Sequence, residues 1–291
     1  MTMRAFVFGA GYSGQAFGRA LAGKAEWLGG TTRSPARLAA LAEAGLEPFL
    51  FDGEVTPDVA SALARTTHLV VSAAPGDTGD PVIAAAGGHI QDAMPALRWI
   101  GYLSTVGVYG DHQGAWIDET AECRPRPGRS DNRLEAEKEW EKLAATRGVP
   151  LAVLRLSGIY GPGRNALVNL QNGTARRIVK PGQVFNRIHV ADIAGSLVHL
   201  ATGDTGGIFN VTDDEPAPPQ DVVAFAASLM NVPPPPEIDF DSAELSPMAR
   251  SFYGENKRVS NGKLVSSGYS FLYPDYRAAF TRMWAEDDWR G

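Results

Sequence analysis

The first half of the chain alternates short, almost wholly apolar runs with longer stretches in which apolar residues recur at helical spacing. The apolar runs are Arg4 to Phe8, Ala25 to Thr31, Pro48 to Phe51, His68 to Ser72 and Trp99 to Ser104, with a later one at Leu151 to Leu156. Each has the length of a strand and lacks polar alternation, the pattern of strands covered on both faces of a parallel sheet. Gln15 to Ala22, Pro35 to Ala44, Asp58 to Arg65 and Asn132 to Thr146 read as amphipathic helices, the last closing at Arg147-Gly148. Strand and helix in steady rotation predict an α/β fold with a doubly wound parallel sheet.

Beyond Pro162 the texture changes. Pro216, Pro218, Pro219 and the run Pro233 to Pro236 punctuate shorter elements, among them a helix at Asp221 to Met230 and an apolar Ile238-Asp239-Phe240. The proline run reads as an ordered turn between those two. With 291 residues the chain is long for one simple domain, so a large domain plus a smaller appended lobe is expected.

The first strand runs straight into a glycine turn, Phe6-Val7-Phe8-Gly9-Ala10-Gly11-Tyr12-Ser13-Gly14, and then into a helix. In this pattern the first glycine permits a tight turn, the second lets backbone approach a pyrophosphate, and the third allows close helix packing. The amides that open the helix, Tyr12 and Ser13 among them, would hold the phosphates. The second strand ends Gly30-Thr31-Thr32-Arg33-Ser34, with no carboxylate to hold ribose hydroxyls. A guanidinium beside small hydroxyls suits a 2′-phosphate, so NADP(H) is expected in preference to NAD, with Arg33 and Ser34 in the site. Asp52 follows the third strand, where it either accepts from the adenine amino group or is a plain turn residue. Ala73, Ala74 and Pro75 follow the fourth strand and would pass beside the cofactor on their small side chains.

Five further blocks coincide with one family. They are Leu103-Ser104-Thr105-Val106-Gly107-Val108-Tyr109-Gly110, Asp118-Glu119-Thr120, Leu154-Arg155 with Gly158-Ile159-Tyr160-Gly161-Pro162-Gly163, Arg187-Ile188-His189-Val190-Ala191-Asp192-Ile193-Ala194, and Gly207-Ile208-Phe209-Asn210-Val211. In that order they resemble the extended short-chain dehydrogenase/reductases, the NAD-dependent epimerase/dehydratase family, in an atypical branch. The resemblance implies a Rossmann domain over 1–162 and 184–212, with 163–183 and 213–291 forming a smaller lobe on the substrate side. It also implies pairing as a homodimer through two helices per chain, one of them containing Asn132 to Thr146. His189 reads as a satisfied histidine at a strand end, and Asp192 as the cap of a helix Ile193 to Ala201.

Active members of that family use a Ser or Thr together with a Tyr and a Lys four residues apart. The phenol is the acid and base, and the ammonium lowers its pKa. Thr105 stands at the Ser/Thr position. Aligned on Leu134 and Glu137, Arg129 takes the Tyr position and Arg133 the Lys position, and no Tyr lies between Tyr109 and Tyr160. Arg133 retains the means to bind ribose hydroxyls, whereas a guanidinium at 129 stays protonated near neutral pH and cannot exchange a proton. Tyr109 and Tyr160 are the candidate substitute phenols, with a packed, hydrogen-bonded role as the alternative for each.

Two functional readings follow. One is an oxidoreductase or epimerase acting on a sugar-like or other small polar substrate through Thr105 and a non-standard proton donor such as Tyr109. The other is a non-catalytic NADP(H)-binding redox sensor or regulatory protein. Composition narrows the partners. A net charge of −6 with scattered signs argues against nucleic acid, and no apolar run approaches the roughly 18 residues of a membrane helix. The single Cys123 and five scattered His show no metal-ligand spacing, and one Cys fits a reducing, cytoplasmic setting. Two small basic groups, Arg124 with Arg126 and Arg129, and Lys257 with Arg258, read either as anion contacts or as solvated loops.

Overall fold

The computed structural model describes residues 3–291 and, at position 248, the backbone alone; the expected domain start at residue 1 lies just outside them. The chain divides into two compact units. One takes the chain up to Val108 with Pro125–Leu156 and Ile193–Phe209; the other takes Tyr109–Arg124, Ser157–Asp192 and Asn210–Gly291.

The first unit is built on a seven-stranded sheet. Its leading strands are β1 (Arg4–Phe8), β2 (Trp27–Thr32), β3 (Glu47–Leu50), β4 (His68–Val71) and β5 (Trp99–Thr105), joined by helices α1 (Tyr12–Leu21), α2 (Leu38–Glu43), α3 (Pro57–Arg65) and α4 (Pro81–Asp92). Helix α5 (Arg129–Arg147) and strands Leu151–Leu156 and Gly207–Val211 complete it. From one edge the order is Gly207–Val211, Leu151–Leu156, β5, β4, β1, β2, β3, and β1 pairs in parallel with both β2 and β4. The chain therefore reverses its direction of progression at β1 and β4, the place where open α/β sheets bind ligands at their strand ends. The doubly wound expectation holds.

The strands are covered as their sequences require. Phe6, Phe8, Leu69, Val71, Ile100 and Tyr102 are buried in one core together with Trp140 and Ala144 of α5 and Ile90 of α4. Helix α4 has no counterpart in the sequence reading, because Gly87 and Gly88 interrupt its apolar pattern and lower its helix propensity. Pro81 at its first turn and the Asp80 carboxylate, which accepts from the amides of Val82 and Ile83, start it instead.

The second unit is assembled from two-stranded parallel pairs: Gly158–Tyr160 with Arg187–His189, Arg177–Val179 with Glu237–Asp239, and Trp116–Ile117 with Arg258–Val259. Its main core gathers Leu167, Val222, Ala226, Tyr276, Phe280 and Met283. The prolines at 233–236 lie between the helix Pro219–Leu229 and the strand Glu237–Asp239, as the sequence suggests. Asp192 corrects an expectation. The helix begins at Val190, so Asp192 sits within its first turn, and its carboxylate accepts from the amides of Leu272 and Tyr273 and the hydroxyl of Tyr269.

Two glycines give opposite expectations for alanine. A Cβ on Gly18 would lie 2.8 Å from Leu46 Cγ and 2.9 Å from the carbonyl oxygen of Ala44. Gly88, inside α4, has open space around it. Gly18→Ala should lose about 1–3 kcal/mol in urea unfolding through overpacking. Gly88→Ala should gain about 0.5–1 kcal/mol by restricting the unfolded chain.

Candidate cofactor and active site

The glycine turn lies where the sheet order reverses. Gly9 adopts φ +73°, and a Cβ there would sit 2.9 Å from the backbone nitrogen of Ala73, so the turn after β1 rests directly on the chain leaving β4. The Gly9 amide donates to Thr31 Oγ1 at 2.8 Å, and the Ala10 amide to the Thr31 carbonyl at 2.8 Å, which ties the turn to β2. Gly14 is buried, with Val7 Cγ1 3.1 Å from its missing Cβ, so α1 starts tight against β1. No side chain caps the N-terminus of α1. A helix start of this kind, with a cradle that any side chain at position 9 would fill, fits a dinucleotide pyrophosphate.

The flanking residues fall around that turn. Arg33 and Ser34 follow β2, with Arg33 exposed and its guanidinium unpaired among the described residues. The Ser34 amide donates to Thr32 Oγ1. Asp52 is exposed, two residues past the end of β3. Ala73 and Pro75 are half-buried and Ala74 exposed, all just past the end of β4. Beyond them, Asn132 of α5 donates to Asp77 Oδ1 at 3.0 Å, which joins the segment after β4 to the start of α5.

Thr105 ends β5, half-buried, with Oγ1 accepting from the Gly107 amide at 3.1 Å. An acceptor engaged in this way keeps its own O–H to donate elsewhere. A Cβ on Gly107 would be 2.8 Å from Ser130 Oγ and 3.3 Å from Thr105 Oγ1, so two hydroxyls border one small space that only glycine leaves open. Ser130 escaped the sequence reading. Its signal was its place beside Arg129 in the first turn of α5.

Arg133 is anchored through Nη1 alone, to Leu103 O at 2.8 Å, Tyr102 Oη at 3.2 Å and Ala73 O at 3.4 Å. It thus spans the ends of β4 and β5 and leaves Nε and Nη2 for another partner. A cation does therefore meet a phenol here, but Tyr102 is fully buried and burial pushes its pKa upward, so it is not placed to exchange a proton with a substrate. Arg129 is exposed at the start of α5.

One helical turn beyond Arg133, Glu137 is buried against Arg155. Arg155 Nη2 meets Glu137 Oε2 at 2.7 Å and Nε meets Oε1 at 3.2 Å, while the Ser104 hydroxyl donates to the same Oε1. This cluster pins α5 to β5 and to Leu151–Leu156, immediately behind Thr105. An arginine in an otherwise apolar strand was the available signal, since a buried charge requires a partner.

The other candidates belong to the second unit. Tyr109 is fully buried and donates to Asn210 Oδ1 at 2.8 Å. Tyr160 is buried, and burial raises its pKa. His189 accepts the Ala191 amide on Nδ1, while its Nε2 has no partner, so it is only half satisfied. Lys257 is buried with Nζ on Gly110 O and Glu255 Oε2, Arg258 donates to Gly114 O, and Arg124 pairs with Glu122 in solvent. Among the described residues no group of three or more His, Cys, Asp or Glu is placed to hold a metal ion, and no helix is long and apolar enough to cross a membrane.

Comparison with known proteins places this fold. A conserved protein of unknown function from Silicibacter pomeroyi DSS has a solved structure with TM-score 0.89 and 46% identity, covering 99% of this chain and 100% of that one. The chain belongs to that protein's family. Its fold is also that of the NAD-dependent epimerase/dehydratase proteins, as the resemblance implied. The human epimerase family protein SDR39U1, solved with NADPH, matches at TM-score 0.73 and 18% identity over 97% of this chain and 99% of that one. A 3-diazoavenalumate denitrifying reductase from Streptomyces sp is 32% identical over 119 residues, which is 38% of this chain and 38% of that protein. No family model matches the chain.

The buried cluster predicts a stability effect. Glu137→Ala takes the carboxylate away from the buried Arg155 guanidinium and should cost about 3–5 kcal/mol in urea unfolding. A double replacement, Glu137→Leu with Arg155→Met, should recover most of that loss, because neither charge is then buried.

Proposed function

We propose that the chain binds a nicotinamide dinucleotide on the turn from Gly9 to Gly14, prefers the 2′-phosphorylated form, and acts as an oxidoreductase on a small polar substrate without the tyrosine–lysine pair. The observation that carries the reading is the backbone contact of Gly9 on Ala73 beside an uncapped helix start. The NADPH held by the human epimerase family protein and the reductase activity in the name of the Streptomyces protein agree with it.

Each residue then has a task. The opening amides of α1, at Tyr12, Ser13 and Gly14, bind the pyrophosphate. Arg33, exposed and unpaired, provides bidentate charged hydrogen bonds to a 2′-phosphate with Ser34 beside it. Asp52 accepts from the adenine amino group. Ala73, Ala74 and Pro75 present a smooth wall, and Arg133 turns its unused nitrogens to the ribose hydroxyls. A bound nicotinamide would supply hydride chemistry; Thr105 would then donate a hydrogen bond from its hydroxyl to the substrate oxygen that gains charge on reduction, with Ser130 adjacent. Arg129 and Arg133 contribute positive charge and no exchangeable proton. The proton is therefore drawn from water through the hydroxyls, so turnover is slower than with a phenol.

The second reading, an NADP(H)-binding sensor without chemistry, draws on one observation: the cation in the lysine position spends Nη1 on two carbonyls and a buried phenol. The two readings separate at Thr105. Thr105→Val should lower substrate-dependent nicotinamide oxidation by about 10²-fold while leaving NADPH affinity within about twofold, as expected for a group that acts on developing charge. Absence of turnover in wild-type protein across carbonyl substrates leaves the sensor reading.

Cofactor preference is tested by calorimetric titration with NADPH, NADH, NADP⁺ and NAD⁺. NADPH should bind more tightly than NADH, and Arg33→Ala should weaken NADPH about tenfold or more without changing NADH. Equal affinities for the two in wild-type protein would remove the assignment of Arg33.

A further inference from the structure

The interior of the second unit contains polar atoms that no group among the described residues satisfies. Tyr160 Oη, His189 Nε2, Asp213 Oδ2 and Tyr276 Oη are buried without a hydrogen-bond partner. Their residues are 6%, 3%, 1% and 0% exposed, so solvent at the surface does not reach them. Leaving four such atoms dry would consume a large share of the margin by which a domain is stable.

Tyr160, Asp213 and Tyr276 all neighbour Arg187, and His189 packs on Tyr160. Tyr160 and His189 face each other across paired strands, with their rings edge to face at 5.3 Å. Tyr160 and Tyr276 both lie edge-on to Phe280, at 5.7 and 5.9 Å. The Asp213 amide donates to Arg187 O at 2.7 Å, and Arg187 acts electrostatically on Asp213, Tyr160 and Tyr276. Arg187 and Asp213 nevertheless make no direct ion pair. Arg187 Nη1 is taken by Phe185 O and Ala217 O, while Asp213 Oδ1 accepts only the Glu215 amide and Oδ2 accepts nothing.

The chemistry of these atoms narrows what would pair with them. His189 Nδ1 accepts from the Ala191 amide, so the neutral ring carries its proton on Nε2 and donates there. Burial, with the nearby Arg282, lowers its pKa to about 4 and keeps it neutral. The two phenols are donors as well. A group that accepts from several donors and still donates to a carboxyl is water, which in buried sites makes about three hydrogen bonds.

We propose that this interior is an internal hydration site in which ordered water bridges the Arg187 guanidinium to the Asp213 carboxyl and accepts from Tyr160, Tyr276 and His189. Burial, reinforced by Asp214 and Asp275 and opposed by Arg187 and the Glu215 amide, pushes the Asp213 carboxyl up to about 8, so it holds its proton at neutral pH. The site thus couples the second unit's stability to pH.

The test combines a crystal structure at a resolution that shows ordered water with urea unfolding of wild type, Asp213→Asn and Asp213→Leu from about pH 5 to about pH 8. A carboxyl with a raised folded pKa keeps a proton that the unfolded chain has released in this window, so wild type loses stability relative to Asp213→Asn as pH rises. The ratio of their unfolding constants should change by up to about tenfold per pH unit. Asp213→Leu, which cannot hydrogen-bond the water, should unfold about tenfold or more readily than Asp213→Asn at neutral pH. Water peaks between Arg187 and Asp213 complete the expected result. Parallel pH profiles for wild type and Asp213→Asn, a guanidinium docked directly on the carboxylate, or a stability that depends on chloride would each overturn it.

Discussion

The first unit is organised by a backbone-to-backbone contact at the point where its sheet changes direction, between the turn after β1 and the chain leaving β4. Gly9 can occupy that position because it has no Cβ and tolerates a positive φ. From this contact follow the tight entry of α1, the hydrogen bonds that tie Gly9 and Ala10 to Thr31, and the alignment of the ends of β1, β2 and β4 on one rim. A side chain at position 9 would push β4 away and close the cradle at once.

The other half of the rim is fixed by charge. Glu137, Arg155 and Ser104 form a buried cluster that holds α5 against β5, and one turn earlier on the helix Arg133 reaches over the ends of β4 and β5. Such a cluster is costly to break and does little to raise stability when intact; its value is geometric, because it sets the register of the helix that carries Ser130 and Arg133. An acidic residue in the middle of a helix and a basic one in the middle of an apolar strand are thereby explained together.

Most of the first unit was legible in the chain. Strands buried on both faces have unbroken apolar sequences, and the glycine turn has a spacing that few other structures require, so β1 and Leu151–Leu156 have the bounds that their sequences predict and the turn follows β1 as expected. Helix α4 was not, because its glycines hide an apolar face that the Asp80 cap and packing on α5 stabilise. The link from Arg133 to Tyr102 was also invisible, since sequence shows neither burial nor which nitrogen is engaged. In the second unit Asp192 was misjudged because a helix start shifted by three residues turns a cap into an acceptor for a distant segment. The unsatisfied atoms around Arg187 depend on contacts among strands and helices far apart in sequence.

The central claim is that a nicotinamide dinucleotide lies on the rim built by Gly9 and Ala73, and a crystal structure of the protein with NADPH tests it most directly. The account predicts the pyrophosphate on the opening amides of α1, the 2′-phosphate against Arg33 and the nicotinamide ribose within hydrogen-bond reach of Arg133. Density for the cofactor at another place, or a 2′-phosphate turned into solvent with Arg33 folded away, would contradict it.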